Sequence, residues 1–117
     1  MTPTVDILKA AYAYLNETPP FNEWNLPDDD DVVFEIWTGT DWHGGCHPPY
    51  GNRAGYTIGI SATTHSHTVS LISSTAHEMV HVHLHKIKYR GWKNHGPAFK
   101  ALAKEVCDAH GFDPGQF

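Results

Sequence analysis

Five consecutive residues, His77-Glu78-Met79-Val80-His81, constrain this chain more than any other stretch. The two histidines are four apart, so on a helix they stand one turn apart on the same face. Two imidazoles placed that way can share one metal ion, and zinc takes such ligands at tetrahedral angles. Glu78 projects to the side of the pair, where it can reach a water held by the metal and take its proton. The flanking residues favour a helix. Ile72, Ala76, Met79, Val80, Leu84 and Ile87 recur at helical intervals, and Ser70, Ser73 and Ser74 all offer caps. A helix is therefore predicted over 70–88.

Two histidines leave zinc short of ligands, and the chain offers several candidates for a third. The metzincin spacing would use position 87, which is Ile87, so that class is excluded. His85 continues the same helical row, but three ligands in a straight row do not easily surround a tetrahedral ion. Glu105, on a last predicted helix, and His95, at the mouth of that helix, both remain open on spacing alone.

The rest of the chain frames this segment. Thr2 before Pro3 reads as an N-cap with proline at the first helical position. Ile7, Leu8, Ala11, Tyr12 and Leu15 then form one apolar stripe, and Pro19 and Pro20 stop the helix. The four aspartates at 28–31 lack the alternating spacing of a calcium loop and read as a solvated turn. Residues 31–37, rich in β-branched and aromatic side chains, read as a strand. Residues 38–55 are dense in Gly and Pro and read as a long loop or irregular hairpin. Residues 56–61 alternate Tyr56, Ile58 and Ile60 against Thr57, Gly59 and Ser61, which predicts a second strand with Gly59 admitting another backbone. A final helix opens at Pro97 and ends at Gly111. The order is that of an α+β domain with a small sheet packed on the metal-bearing helices.

At 117 residues this is one domain over 1–117, with a core small enough to gain from a bound metal. The net charge is −5. Residues 1–55 carry two basic side chains against nine acidic ones, whereas 56–117 carry six against four, all six between Lys86 and Lys104. Lys86, Lys88, Arg90 and Lys93 interleave with Tyr89 and Trp92, a mixture that can hold single-stranded nucleic acid by charge and stacking. The acidic remainder weighs against a polyanion, so a solvated loop anchored by two aromatics is the favoured reading. Asp6 and Lys9 interrupt the first twenty residues, and no stretch is apolar enough to span a bilayer. A cytoplasmic protein with no membrane partner is expected, with Cys46 and Cys107 as reduced thiols. His43, Cys46 and His47 suggest a second metal or an inhibitory thiolate, a weaker reading than a glycine-rich loop over a cleft. His65 and His67 flank the turn before the metal helix and read as exposed loop residues. His83, about 200° round the helix from His81, is expected on the surface.

The segment His77-Glu78-Met79-Val80-His81, followed by His95-Gly96-Pro97-Ala98-Phe99, resembles the SprT-like zinc metallopeptidases, the family of the Spartan-type proteases. The likeness is strong over 73–102 and looser over the preceding strand. It implies that His77, His81 and His95 bind one Zn2+ ion, that Glu78 is the general base, and that the fold is a minimal zincin-like domain. Gly96 is expected to let the chain turn tightly so that His95 points back at the ion. The family's four-cysteine ribbon and its DNA- and ubiquitin-binding tails have no counterpart here. The bare protease core is what transfers, and so compact a version suits a phage-encoded or bacterial protein.

The expected function is a zinc-dependent endopeptidase acting on protein or peptide substrates, with DNA-associated proteins among them. Tyr56, Ile58 and Ile60 are expected to pair with the peptide by β-augmentation. His85, Tyr89 and Tyr50 are candidate oxyanion donors, the first two also candidates for substrate contact. The alternative is a catalytically silent, zinc-stabilised binding or adaptor module, against which Glu78 argues, since a structural zinc has no use for it. A zinc hydrolase acting on something other than a peptide ranks third.

Overall fold

Thr4, two residues later than expected, starts the first helix. The computed structural model describes residues 3–39, 44–52, 54–63 and 68–117. Thr2, the expected cap, lies outside them. The Thr4 hydroxyl accepts the N–H of Ile7 at 3.2 Å and opens α1, Val5–Asn16. A threonine cap satisfies one orphan donor directly, so Pro3 is left before the helix instead of inside it. Leu8, Ala11, Tyr12 and Leu15 are buried, while Ile7 is 36% exposed and does not belong to the stripe. The Tyr12 hydroxyl donates to the carbonyl of Pro27 at 2.5 Å, tying the following loop to the helix. Residues 29–31 form a 3-10 turn, and Lys9 pairs with Asp30 at 2.7 Å and Asp29 at 3.8 Å.

The sheet has three strands: β1 (Val33–Trp37), β2 (Gly44–His47) and β3 (Thr57–Ser61). Their order is β1-β3-β2, with β1 parallel and β2 antiparallel to β3. β2 lies inside the stretch expected to be loop or irregular hairpin. Its residues, Gly-Gly-Cys-His, carry no apolar alternation, and their pairing with β3 makes the strand. β3 is buried at every residue. On one face it meets the helices. On the other, the Trp37 ring covers Gly59 so closely that a Cβ there would lie 2.3 Å from it. The small residue admits a ring, not the backbone the sequence suggested.

α2, Thr68–Lys86, is the central element. Ala76, Met79, Val80, Val82 and Leu84 are all at most 2% exposed, and a helix apolar on more than one side belongs in the interior. It packs on α1, on β2 and β3, and on α3, Pro97–His110. The helix begins before Ser70, so Ser70, Ser73 and Ser74 lie within its first turns and do not cap it. It stops at Lys86, and Ile87, the last residue of the predicted helical recurrence, lies past its end and is 59% exposed. α3 ends at Gly111, which takes the left-handed conformation (φ 74°) that glycine adopts without steric cost. The architecture of the described residues is thus mixed α+β, three helices with a small three-stranded sheet. Among the described residues no helix is long and apolar enough to cross a membrane.

Candidate metal centre

α2 and the start of α3 bring three imidazoles to one point. The Nε2 atoms of His77, His81 and His95 lie 3.1 to 3.3 Å apart. They are the one group of His, Cys, Asp and Glu among the described residues close enough to hold a metal ion. His77 and His81 reach it because they are one turn apart. His95 reaches it from the far side, across the connector 87–96. Glu105, the rival third ligand, is exposed on α3 and takes no part.

Two of the rings are held from behind. The Nδ1–H of His81 donates to the carbonyl of Trp92 at 2.7 Å, and that of His77 to the carbonyl of Phe117 at 3.2 Å. A carbonyl only accepts, so each bond puts the proton on Nδ1 and leaves the Nε2 lone pair facing the centre. Lone pairs facing one another at this distance repel unless a cation or protons lie between them. The arrangement therefore fits a divalent transition metal, for which imidazole is a suitable donor.

Phe99 forms the common wall. Its ring stacks on His95 (4.4 Å, 29°) and His81 (4.7 Å, 27°) and leans on His77 (4.8 Å, 57°). Burial, then the neighbouring imidazoles, push the pKa of His77 down to about 4. Burial lowers that of His81 as well, against the opposing effect of its bond to Trp92. Neutral imidazole is the form that binds a metal, so both rings are kept ready for one. Gly96 does less than expected. Its backbone is extended (φ −81°), and a Cβ there would meet nothing within 4 Å. Other residues could adopt that conformation, so His95 does not owe its direction to a glycine.

Glu78 is 6% exposed. Its Oε2 lies 3.4 Å from where a Cβ on Gly44 would stand, so β2 closes over the carboxyl with a glycine at the contact. Burial pushes the Glu78 pKa up to about 8. The next inward residue of β2 is Cys46, whose thiol is pushed up to about 12 by burial first and by the Glu78 charge second. Among the described residues this thiol is not one of the converging donors. His47 stands instead beside Trp37 and Tyr50. His43, His65 and His67 lie outside the described residues. Cys46 and Cys107 are both free.

The structure overturns the expected peptide contact at β3. Ile58 and Ile60 are fully buried, and β3 already has a strand on each side. A parallel β1 and an antiparallel β2 make it the central strand, with no edge to offer. Tyr56, just before it, shares a 2.6 Å hydrogen bond with Nδ1 of His85. His85 also packs edge-on against Trp92 and does not join the ligand group. Tyr89 and Tyr50 stand at the surface, 39% and 56% exposed. His83 is not a surface residue as expected, since it stacks on Trp24 at 4.4 Å. Sequence reasoning missed the two carbonyls that orient His77 and His81, because backbone atoms leave no signature in residue identity. It also missed the role of Phe99, although its place in the second motif could have pointed there.

Comparison with protein-family models, curated proteins and solved structures finds no match for this chain.

Proposed function

We propose that the chain is a small zinc-dependent endopeptidase with a zincin-like, SprT-like arrangement of its site. The observation that carries this reading is the convergence of three Nε2 atoms, with the buried Glu78 next in the chain to the first of them, His77. Zinc–nitrogen bonds of about 2.0–2.1 Å at tetrahedral angles separate the nitrogens by about 3.3 Å. The three separations of 3.1 to 3.3 Å suit that ion. His95 is exposed, which leaves the group accessible to solvent on one side, as a catalytic site requires.

His77, His81 and His95 would hold the zinc. Bound there, zinc would supply Lewis acidity, acidifying water and polarising a carbonyl. The rest is the work of the chain's own groups. The Trp92 and Phe117 carbonyls keep two rings in the binding tautomer. The Glu78 carboxylate takes a proton from the attacking water and returns it to the leaving amine. Its burial raises its basicity, and a nearby dication would draw its pKa back down towards neutrality. β2 has a strand partner on one side only within the described sheet, and Gly44 and Cys46 lie towards Glu78. A peptide extending the sheet would therefore lie beside β2.

The test is metal analysis of the purified protein, with cleavage of an unfolded protein by wild type and Glu78→Gln. Both are assayed with and without single-stranded DNA. Stoichiometric zinc in both and cleavage by wild type alone are expected. Zinc-loaded wild type that leaves the substrate intact in every condition would overturn the reading in favour of a zinc-stabilised binding module.

A further inference from the structure

A pocket of about 370 Å3 opens beside His95, between α3 and the C-terminal segment. Its size falls near the lower end of the range for sites that take small ligands. Phe99, Ala103 and Cys107 recur every four residues along one face of the helix and make its floor. Pro114 and Phe117 wall it from the C-terminal segment, and Lys100 and Lys104 line its edge. The floor is thus apolar, the edge basic, and one end is a residue of the metal centre.

The two lysines differ. Lys104 is paired with Asp108 at 2.7 Å. Lys100 has no ion-pair partner among the described residues. An apolar group entering the pocket would leave water, and a carboxylate attached to it would meet a cation whose charge is not already matched. A polar or basic occupant would find neither advantage.

We propose that this pocket is a specificity site. It receives a large apolar side chain, aromatic or long aliphatic, from a peptide held at the metal centre, and Lys100 recognises a carboxylate on the adjoining residue. The proposal rests on the hydrolytic reading for its purpose but not for its existence. Phe99 serves both sites: one face of its surroundings is the ligand cluster, and the other is the pocket floor.

Two measurements separate the pocket from the chemistry. The first is binding without turnover. Zinc-loaded Glu78→Gln is titrated with N-acetyl-phenylalanyl-glutamate amide and followed by amide chemical shifts. The alanyl-glutamate and phenylalanyl-lysine amides serve as controls. Shifts centred on Phe99, Lys100, Ala103 and Cys107 are expected, with binding at least tenfold weaker for either control. Adding Ala103→Phe, which fills the pocket, should abolish them, and adding Lys100→Glu should reverse the preference between glutamate and lysine. Metal content and far-ultraviolet circular dichroism verify that each variant is folded. Absence of shifts at these residues, or equal binding of all three amides, overturns the proposal whatever the cleavage assay gives.

The second is the sequence of cleaved bonds in an unfolded protein digested by wild type. A large apolar residue at one fixed distance from the cut, beside an acidic one, is expected, and Ala103→Phe should shift that position to small residues. Amide binding without any cleavage leaves the pocket standing and removes the peptidase reading. Cleavage with no preference at any fixed position removes the pocket's role in specificity.

Discussion

Four histidines occupy alternate or neighbouring turns of the same half of α2, and they divide into two pairs. His77 and His81 present Nε2 to a shared point, with Nδ1 fixed by a backbone carbonyl. His83 and His85 belong to the structure around them. His83 stacks on Trp24, and its buried Nδ1 has no hydrogen-bond partner among the described residues. His85 is engaged by Tyr56 and Trp92. The two pairs share residue type and helix. His83 stands on another face of α2, whereas His85 continues the row of His77 and His81 and differs from them in what engages its ring, so a candidate metal ligand is recognised by what lies behind it as much as by its spacing.

The largest test of that division is removal of each ring. His77→Ala or His81→Ala should lower zinc affinity by three orders of magnitude or more. His83→Ala and His85→Ala should leave it within a few-fold, measured by competition with a chelating dye. Comparable losses in both pairs would erase the distinction.

Glu78→Gln gives the next effect, on stability in the metal-free protein. With its folded pKa near 8, above the ordinary carboxylate value of 4.5, Glu78 favours the folded state while protonated. Its contribution is lost as pH rises from 4.5 through 8. His77, pushed down to about 4, acts in the opposite sense: its contribution is full above pH 6.5 and is lost as pH falls towards 4. Metal-free wild type should therefore lose about 2 kcal/mol between pH 6.5 and 8, a Tm fall of roughly 8 °C for a chain of this size. Glu78→Gln should stay level over that interval. Thermal melts at half-unit pH steps read the difference, and a decline shared by both proteins would assign it elsewhere.

A smaller change should follow from deleting Phe117, which removes the carbonyl behind His77. Zinc affinity should drop about tenfold or more, the usual cost of losing an orienting partner. Phe117→Ala keeps that carbonyl and should lose much less. The smallest effect is expected in the other pair. His83→Phe preserves a ring against Trp24 and removes the orphaned nitrogen, so it should raise stability by about 1 kcal/mol with zinc affinity unchanged. Denaturant unfolding and the dye assay measure the two.

The sequence made some of this legible and hid the rest for identifiable reasons. The apolar recurrence around Met79 and Val80 placed a helix under the two histidines, because burial of that face is what the recurrence encodes. His95 and Glu105 could not be separated by spacing, since each lies at a plausible distance and only the packing of α3 on α2 decides between them. The order of the strands was beyond reach. Ile58 and Ile60 alternate with smaller polar residues in the manner of a strand with one open face, yet Trp37 closes the other face and β2 takes the edge. β2 itself was hidden because Gly44 and Gly45 carry no side chain to reveal a period. Glycine at 96 attracted an explanation that its extended backbone does not need, whereas Gly44, against Glu78, attracted none.

The connector 87–96 ties the two halves of the centre together. It delivers His95 at one end, and through the Trp92 carbonyl it braces His81. Two of the three candidate ligands thus hang from a single ten-residue span, which behaves as a gauge block: its length sets the separation between the helices' contributions to the candidate centre. Adding or removing one residue there would displace a ligand and a brace together, while leaving every side chain of the centre in place. The span also carries Lys88 and Arg90 on its path, so whatever grips the connector from outside takes hold of the same piece of chain that sets the bite of the candidate metal centre.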